Sequence, residues 1–124
     1  MYQTPSTSQL VTAVKSFIDD IAAPELKGHA AFHARVASNV LATVLRELEI
    51  GQTADSEERK RLSELLNTNV DTDAETLNRA LSQAIRSGEI TLATVGLLDH
   101  LKSTTIDQLS IDQPRYSGLG PHRT

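Results

Sequence analysis

The chain of 124 residues contains no cysteine and no tryptophan. Without thiols it can form neither disulfides nor thiolate metal sites, which fits an intracellular protein. Aromatic residues are scarce too: Tyr2, Phe17, Phe32 and Tyr116 are all there are. The core must therefore be built from leucine, isoleucine, valine and alanine, which suits helix packing better than a sheet. A basic stripe is missing, and the formal net charge is −4, so a nucleic-acid partner is not expected. No run approaches the ~18 apolar residues of a membrane span. Lys15 is the lone basic residue before Lys27, and Asp19 and Asp20 interrupt the apolar run around it. That is not a secretion signal, and the expected location is the cytoplasm. Motifs for nucleophilic or nucleotide chemistry are also lacking. Ser117-Gly118-Leu119-Gly120 is too short for a nucleophile elbow. No phosphate-binding or dinucleotide-binding glycine loop occurs.

What the sequence does contain is helical periodicity. Residues 28–51 begin and end with glycine and hold no proline. Val36, Val40, Val44 and Leu48 repeat every fourth residue, and Ala37, Leu41 and Leu45 form the adjacent row. Two such rows make a wide apolar stripe on one helix. At ~1.5 Å per residue this helix would run roughly 30 Å, long enough to be the central element of a small domain. Gly51 is expected to close it in the C′ role.

Other helices flank this one. Ser6 followed by Gln9 matches a capping box, and Leu10, Val14, Phe17, Ile18 and Ile21 continue a helix over about 7–23. Pro24 is expected to end it. Asp55 or Ser56 can cap a short third helix carrying Leu62, Leu65 and Leu66, stopped by Asn67 and Asn69. Thr72 with Glu75 predicts the start of a fourth, with Leu77, Ala80, Leu81, Ala84 and Ile85 on one face and Gly88 beyond its end. A fifth is expected from about residue 92, its stripe Leu98, Leu101, Thr105 and Leu109, with Pro114 as its stop. The predicted fold is all-α: a compact bundle of about five helices over residues 1–110, followed by an extended C-terminal tail over 111–124. One domain fits this length, and roughly two-thirds of the unfolded surface would be buried on folding.

Two groups of residues are candidates for function. His29 and His33 are four apart on one helical face, a spacing that can hold a metal. Ala30 stands where a metalloprotease helix has its glutamate, and no third ligand is evident among His100, His122 and the carboxylates, so no metal is assigned. His33 is expected to be the buried member of the pair. Arg35 and Asn39 follow on the same helix, and an arginine is a good anchor for a carboxylate or phosphate. In the tail, Gln113, Pro114, Arg115 and Tyr116 combine a rigid turn with the residue types enriched at binding hot spots. These eight positions are the candidate interface, and no catalytic residue is assigned.

Three blocks carry a resemblance: Met1-Tyr2-Gln3-Thr4-Pro5-Ser6, Phe32-His33-Ala34-Arg35-Val36-Ala37-Ser38-Asn39, and Asp112-Gln113-Pro114-Arg115-Tyr116-Ser117-Gly118. Together they resemble a bacterial family of small proteins of unknown function encoded beside aminoglycoside-phosphotransferase-like kinases and acyl-CoA dehydrogenases. Within it the likeness is to the small subunit of the 4-hydroxyacyl-CoA kinase of levulinic-acid breakdown. The resemblance implies a non-catalytic accessory subunit of a kinase that acts on hydroxyacyl-CoA. ATP and magnesium would then be bound by the kinase subunit and no cofactor by this chain. Two other readings are a free-standing homodimeric helical binding module and a small histidine-based metal-binding protein. From periodicity alone, far-UV circular dichroism is expected to be dominated by helix. A spectrum requiring a sheet of three or more strands would overturn the fold class.

Overall fold

The computed structural model describes residues 4–69 and 71–122, the side chains of residues 121 and 122 aside. Met1, Tyr2 and Gln3 of the opening block lie outside the described residues. Those described form helices and no strand, as an all-α fold requires. No helix among them is long and apolar enough to cross a membrane. The elements are α1 (Thr7–Phe17), a π-helical turn (Ile18–Ala22), α2 (Ala23–Glu25), α3 (Gly28–Arg46), a second π-helical turn (Glu47–Gly51), α4 (Gln52–Leu66), α5 (Ala74–Ser87), α6 (Leu97–Asp112) and a 3-10 segment (Ser117–His122). Because the π-helical turns join their neighbours, the described helices amount to four uninterrupted runs plus the 3-10 segment, not five.

Both differences from the expected boundaries have a local cause. Pro24 lies inside the last helical turn of the first run rather than ending it. In α-geometry its ring would meet the carbonyl of Asp20, and it has no N–H to donate. The π-helical turn widens the chain just before it. Ala23 N–H reaches back to the Ile18 carbonyl, a longer step than an α-helix makes. The run closes one turn later, where Leu26 N–H donates to the Ala23 carbonyl at 3.1 Å. Gly51 likewise does not stop its helix. Its φ of −59° and ψ of −42° are right-handed helical values, so the left-handed C′ geometry that ends a helix is absent there. The start expected at Asp55 or Ser56 disappears with it.

Other caps fall at or beside their expected places. Ser6 and Gln9 form the capping box, with hydrogen bonds of 2.8 and 3.1 Å. Asn67 closes α4 in left-handed geometry, and Thr68 N–H donates to the Ser63 carbonyl at 3.0 Å. The cap of α5 is Asp73, one residue beyond Thr72. Its carboxylate accepts from Thr76 N–H at 3.0 Å, and those bonds to Thr76 hold its pKa below the ordinary value. Gly88 ends α5 as expected. Helix α6 starts at Leu97 rather than near residue 92, because Gly96 has φ +95°, a value a right-handed helix does not contain. Ahead of it, Thr91 N–H donates to Thr94 Oγ1 at 2.9 Å and fixes a turn.

The chain packs as two compact units, Met1–Glu49 and Ile50–Thr124. In the first, α1 and its π-helical turn pack on α3. Small residues line the contact on α3, among them Ala34 and the buried Ser38, with Leu41 and Leu45 half-buried. The Ser38 hydroxyl donates to the Asp19 carboxylate, which also pairs with Lys15 at 2.7 Å. Those two bonds, Lys15 first, hold the Asp19 pKa below its ordinary value. The other apolar row of α3 is not covered: Val40 is 56% exposed. Helix α3 therefore pairs with one neighbour within its unit, and the row Val36, Val40, Val44 and Leu48, expected to face a core, faces solvent.

The core lies in the second unit. Leu62 from α4, Leu77, Leu81 and Ala84 from α5, Ile90 from the following loop and Leu97 from α6 form it, with Leu65 and Leu66 packed alongside. Beyond α6 the chain turns instead of extending. Tyr116 N–H donates to the Gln113 carbonyl at 2.9 Å, and Leu119 N–H to the Tyr116 carbonyl at 3.0 Å. This 3-10 segment buries Leu119 to 2% exposure, which explains why the tail carries apolar residues at all. Leu62→Ala, at a fully buried position, is expected to cost about 2–5 kcal/mol. Leu92→Ala, at a position 76% exposed, should stay within about 0.5 kcal/mol. Urea unfolding midpoints check both, and equal effects would mean the core is misplaced.

Candidate functional site

The candidate residues fall into two groups, one in each unit. His29, His33, Arg35 and Asn39 all lie on α3 and are exposed. His33 was expected to be buried, but it lies on the side of α3 that α1 leaves uncovered. Its ring meets the edge of Phe32, centroids 5.6 Å apart at 70°. Arg35 and Asn39 share another exposed face of the same helix. Among the described residues no three of histidine, cysteine, aspartate and glutamate come together in a way that could hold a metal ion.

Gln113, Pro114, Arg115 and Tyr116 form the turn after α6. Pro114 is half-buried, and Gln113 and Arg115 are exposed. Tyr116 is 49% exposed, and its ring lies against Gly118: a Cβ there would sit 2.6 Å from Tyr116 Cε1. With Leu98, Leu101, Lys102 and Thr105 of α6, Tyr116 lines an open groove of about 520 Å³ whose floor includes Leu119. The structure therefore brings the tail tyrosine to the apolar residues of α6. Leu98 and Leu101 were expected to face the core. The buried face of α6 is instead Leu97, His100 and Ile111, one residue earlier and about 100° around the helix.

His100 is the site that sequence reasoning missed. It is 2% exposed. Arg61 of α4 donates from Nε to His100 Nδ1 at 3.1 Å and from Nη2 to Thr104 Oγ1 at 3.2 Å. An Nδ1 that accepts carries no proton, so the imidazole is neutral with its hydrogen on Nε2. Burial first, then the Arg61 charge, holds the His100 pKa below its ordinary value, and Glu58 opposes them weakly. Arg61, Glu64, Asp99 and His100 border a cleft of about 290 Å³. A lone pair already engaged by a guanidinium is not available as a base, so this arrangement clamps α4 to α6. The legible signal was the spacing of Leu97, His100 and Thr104, which put polar residues in line with a core leucine.

Residues 24–116 match the family described as a domain of unknown function, DUF6285. The chain belongs to that family. The match takes in α3 with its histidines, the Arg61–His100 clamp, and the turn as far as Tyr116. No curated protein and no solved structure matches the chain.

The clamp predicts a pH dependence of stability. The folded-state pKa of His100 is lowered, so below the ordinary value of 6.5 the unfolded chain binds a proton that the folded chain resists. Stability contributed by the neutral histidine is fully present above pH 6.5 and is lost as pH falls through the folded-state pKa. His100→Gln is expected to flatten the fall in melting temperature between pH 7 and 5 relative to the unmodified protein. Identical slopes for the two proteins would remove His100 as the cause.

Proposed function

We propose that this chain is a non-catalytic accessory subunit of an aminoglycoside-phosphotransferase-like hydroxyacyl-CoA kinase, supporting its assembly or activity in the cytoplasm. The kinase subunit carries ATP, magnesium and the catalytic groups. The observation that carries the reading is the groove of α6 and the C-terminal turn. Leu98, Leu101 and Tyr116 stand open there, beside the exposed Arg115. Exposed apolar side chains next to tyrosine and arginine are the composition of an interface centre. Lys102 and Thr105 add a polar edge to the same groove.

The kinase is proposed as the partner because three sequence blocks resemble the kinase-associated proteins. One of them, Asp112 to Gly118, is the segment that folds into this groove. The hydroxyacyl-CoA substrate class comes from the same resemblance.

Arg115→Ala and Tyr116→Ala test the reading. Arg115 is exposed, so its loss should shift the stability of the isolated chain by no more than about 0.5 kcal/mol. Truncation at a desolvated contact commonly costs about 2 kcal/mol, or roughly 30-fold in affinity. Co-purification with an aminoglycoside-phosphotransferase-like kinase, and hydroxyacyl-CoA phosphorylation by the pair, should fall accordingly. If association and kinase activity are both unchanged in the two variants, the groove has no part in a kinase complex.

A further inference from the structure

The first unit contains none of the chain's buried large apolar side chains among the described residues. Leu62, Leu77, Leu81, Ile90, Leu97, Ile111 and Leu119 all belong to the second. Two packed helices whose apolar contact is only half-buried lack much of what makes helices stable in water, where most helical stability comes from tertiary packing. Yet both helices carry an apolar stripe. Leu10, Val14, Phe17 and Ile21 are each 53–60% exposed, and Val36, Val40 and Val44 are 38–56% exposed.

These two stripes lie on the same side of the pair. On the first run the half-buried positions are Val11, Lys15, Ile18 and Ala22, each one residue after a member of the exposed stripe. On α3 the side toward α1 carries the buried Ser38 and the half-buried Ala34, Ala37, Leu41 and Leu45, the last three each one residue after Val36, Val40 and Val44. One residue is about 100° of helix. The same offset, in the same sense, on two antiparallel helices turns both stripes to one side. The result is a two-helix layer with one apolar face. With Phe32 and Leu48, also exposed, the face offers on the order of 800 Å² at about half of each side chain's area. A monomer's surface rarely leaves so large a patch open, and about 800 Å² is one partner's share of a standard stable interface.

We propose that the occupant of this face is a second copy of the same chain, so that two layers close into an antiparallel four-helix bundle. A two-helix layer is half of such a bundle, and a copy supplies the matching half. Symmetry adds a second argument. Val40 is the centre of the α3 stripe. His33 lies seven residues before it and Glu47 seven residues after it, both near its line on the helix and both exposed. When α3 crosses α3 of the second copy antiparallel about a two-fold axis at Val40, each His33 comes opposite the other copy's carboxylate-bearing position 47. A two-fold interface must be complementary to itself. This face is so: apolar at its centre, a hydrogen-bond donor at one end and a carboxylate at the other. The Asp19–Ser38 bond sets the level of the two helices, which places Phe17 beside Val40 at the axis. The inference rests on the first unit and is independent of the kinase reading.

Sedimentation equilibrium of the full chain is expected to give about twice the 13.5 kDa chain mass at micromolar concentration, within the affinity range of interfaces this size. Val40→Glu and Val14→Glu should return it to the monomer mass with helical circular dichroism intact, because both positions are exposed within one chain. Leu98→Glu, in the second unit, should leave the dimer unchanged. Val40→Cys tests the geometry without a buried charge. In a chain that has no other thiol, mild oxidation should link two copies covalently at this position, whereas Val95→Cys should not. The proposal is overturned if the chain sediments as a monomer at about 100 μM. It is overturned equally if the dimer survives both glutamate variants, or if Leu98→Glu alone breaks it. A monomeric chain whose Val40→Glu variant loses the kinase would assign the face to the kinase instead.

Discussion

Burial of Leu62 among helices α4, α5 and α6 is the constraint on which the second unit depends. With no tryptophan in the chain, and with Phe17, Phe32 and Tyr116 all about half exposed, nothing larger than a leucine or isoleucine is buried in the core among the described residues. Aliphatic side chains gain their stabilisation from close packing over many small contacts. The helices must therefore start and stop at the right residues. Asn67 and Gly88 provide the stops of α4 and α5 and Gly96 sets the start of α6, all three in left-handed geometry. The Arg61 hydrogen bonds to His100 and Thr104 then fix α6 against α4 with a polar contact placed in line with the core.

The sequence spacing identified helices reliably but not the side that each one buries. On α3, two adjacent rows are apolar, and either could have faced a neighbour. Small residues on one flank, Ala34 and Ser38, decided the matter by letting α1 approach closely. On α6 the same ambiguity put the expected core row on Leu98 and Leu101 instead of Leu97 and His100. A histidine in a row otherwise made of leucine and isoleucine reads as a break in the stripe until its partner, Arg61, is known. That partner is thirty-nine positions away, beyond any local pattern.

Chain breakers were legible only where the backbone uses them to break. Ser6, Asn67, Gly88 and Pro114 act as their local chemistry dictates. Pro24 and Gly51 do not, because Pro24 comes just after a π-helical turn and Gly51 ends one, and the wider hydrogen-bonding pattern of that turn absorbs the residue that should have stopped an α-helix. Nothing in residue type marks such a turn beforehand. The candidate interface was legible as a set of residue types, yet the sequence could not tell that its halves belong to different units. Nor did it show that the tail folds back to bury Leu119 and set Tyr116 over α6.

The unequal distribution of the core implies unequal protection of the backbone. Amide hydrogens of α4, α5 and α6 are shielded by apolar packing within their own unit, whatever the protein concentration. Those of α1 and α3 have, among the described residues, the Asp19–Ser38 contact and a thin layer of half-buried alanine, leucine, valine and isoleucine between them. Local opening free energies span from near zero to the global value within one protein. In this chain that span follows the chain itself, with the amino-terminal helices at its low end unless another surface covers them. Exchange in α1 and α3 thus becomes a direct report of whatever the chain is bound to.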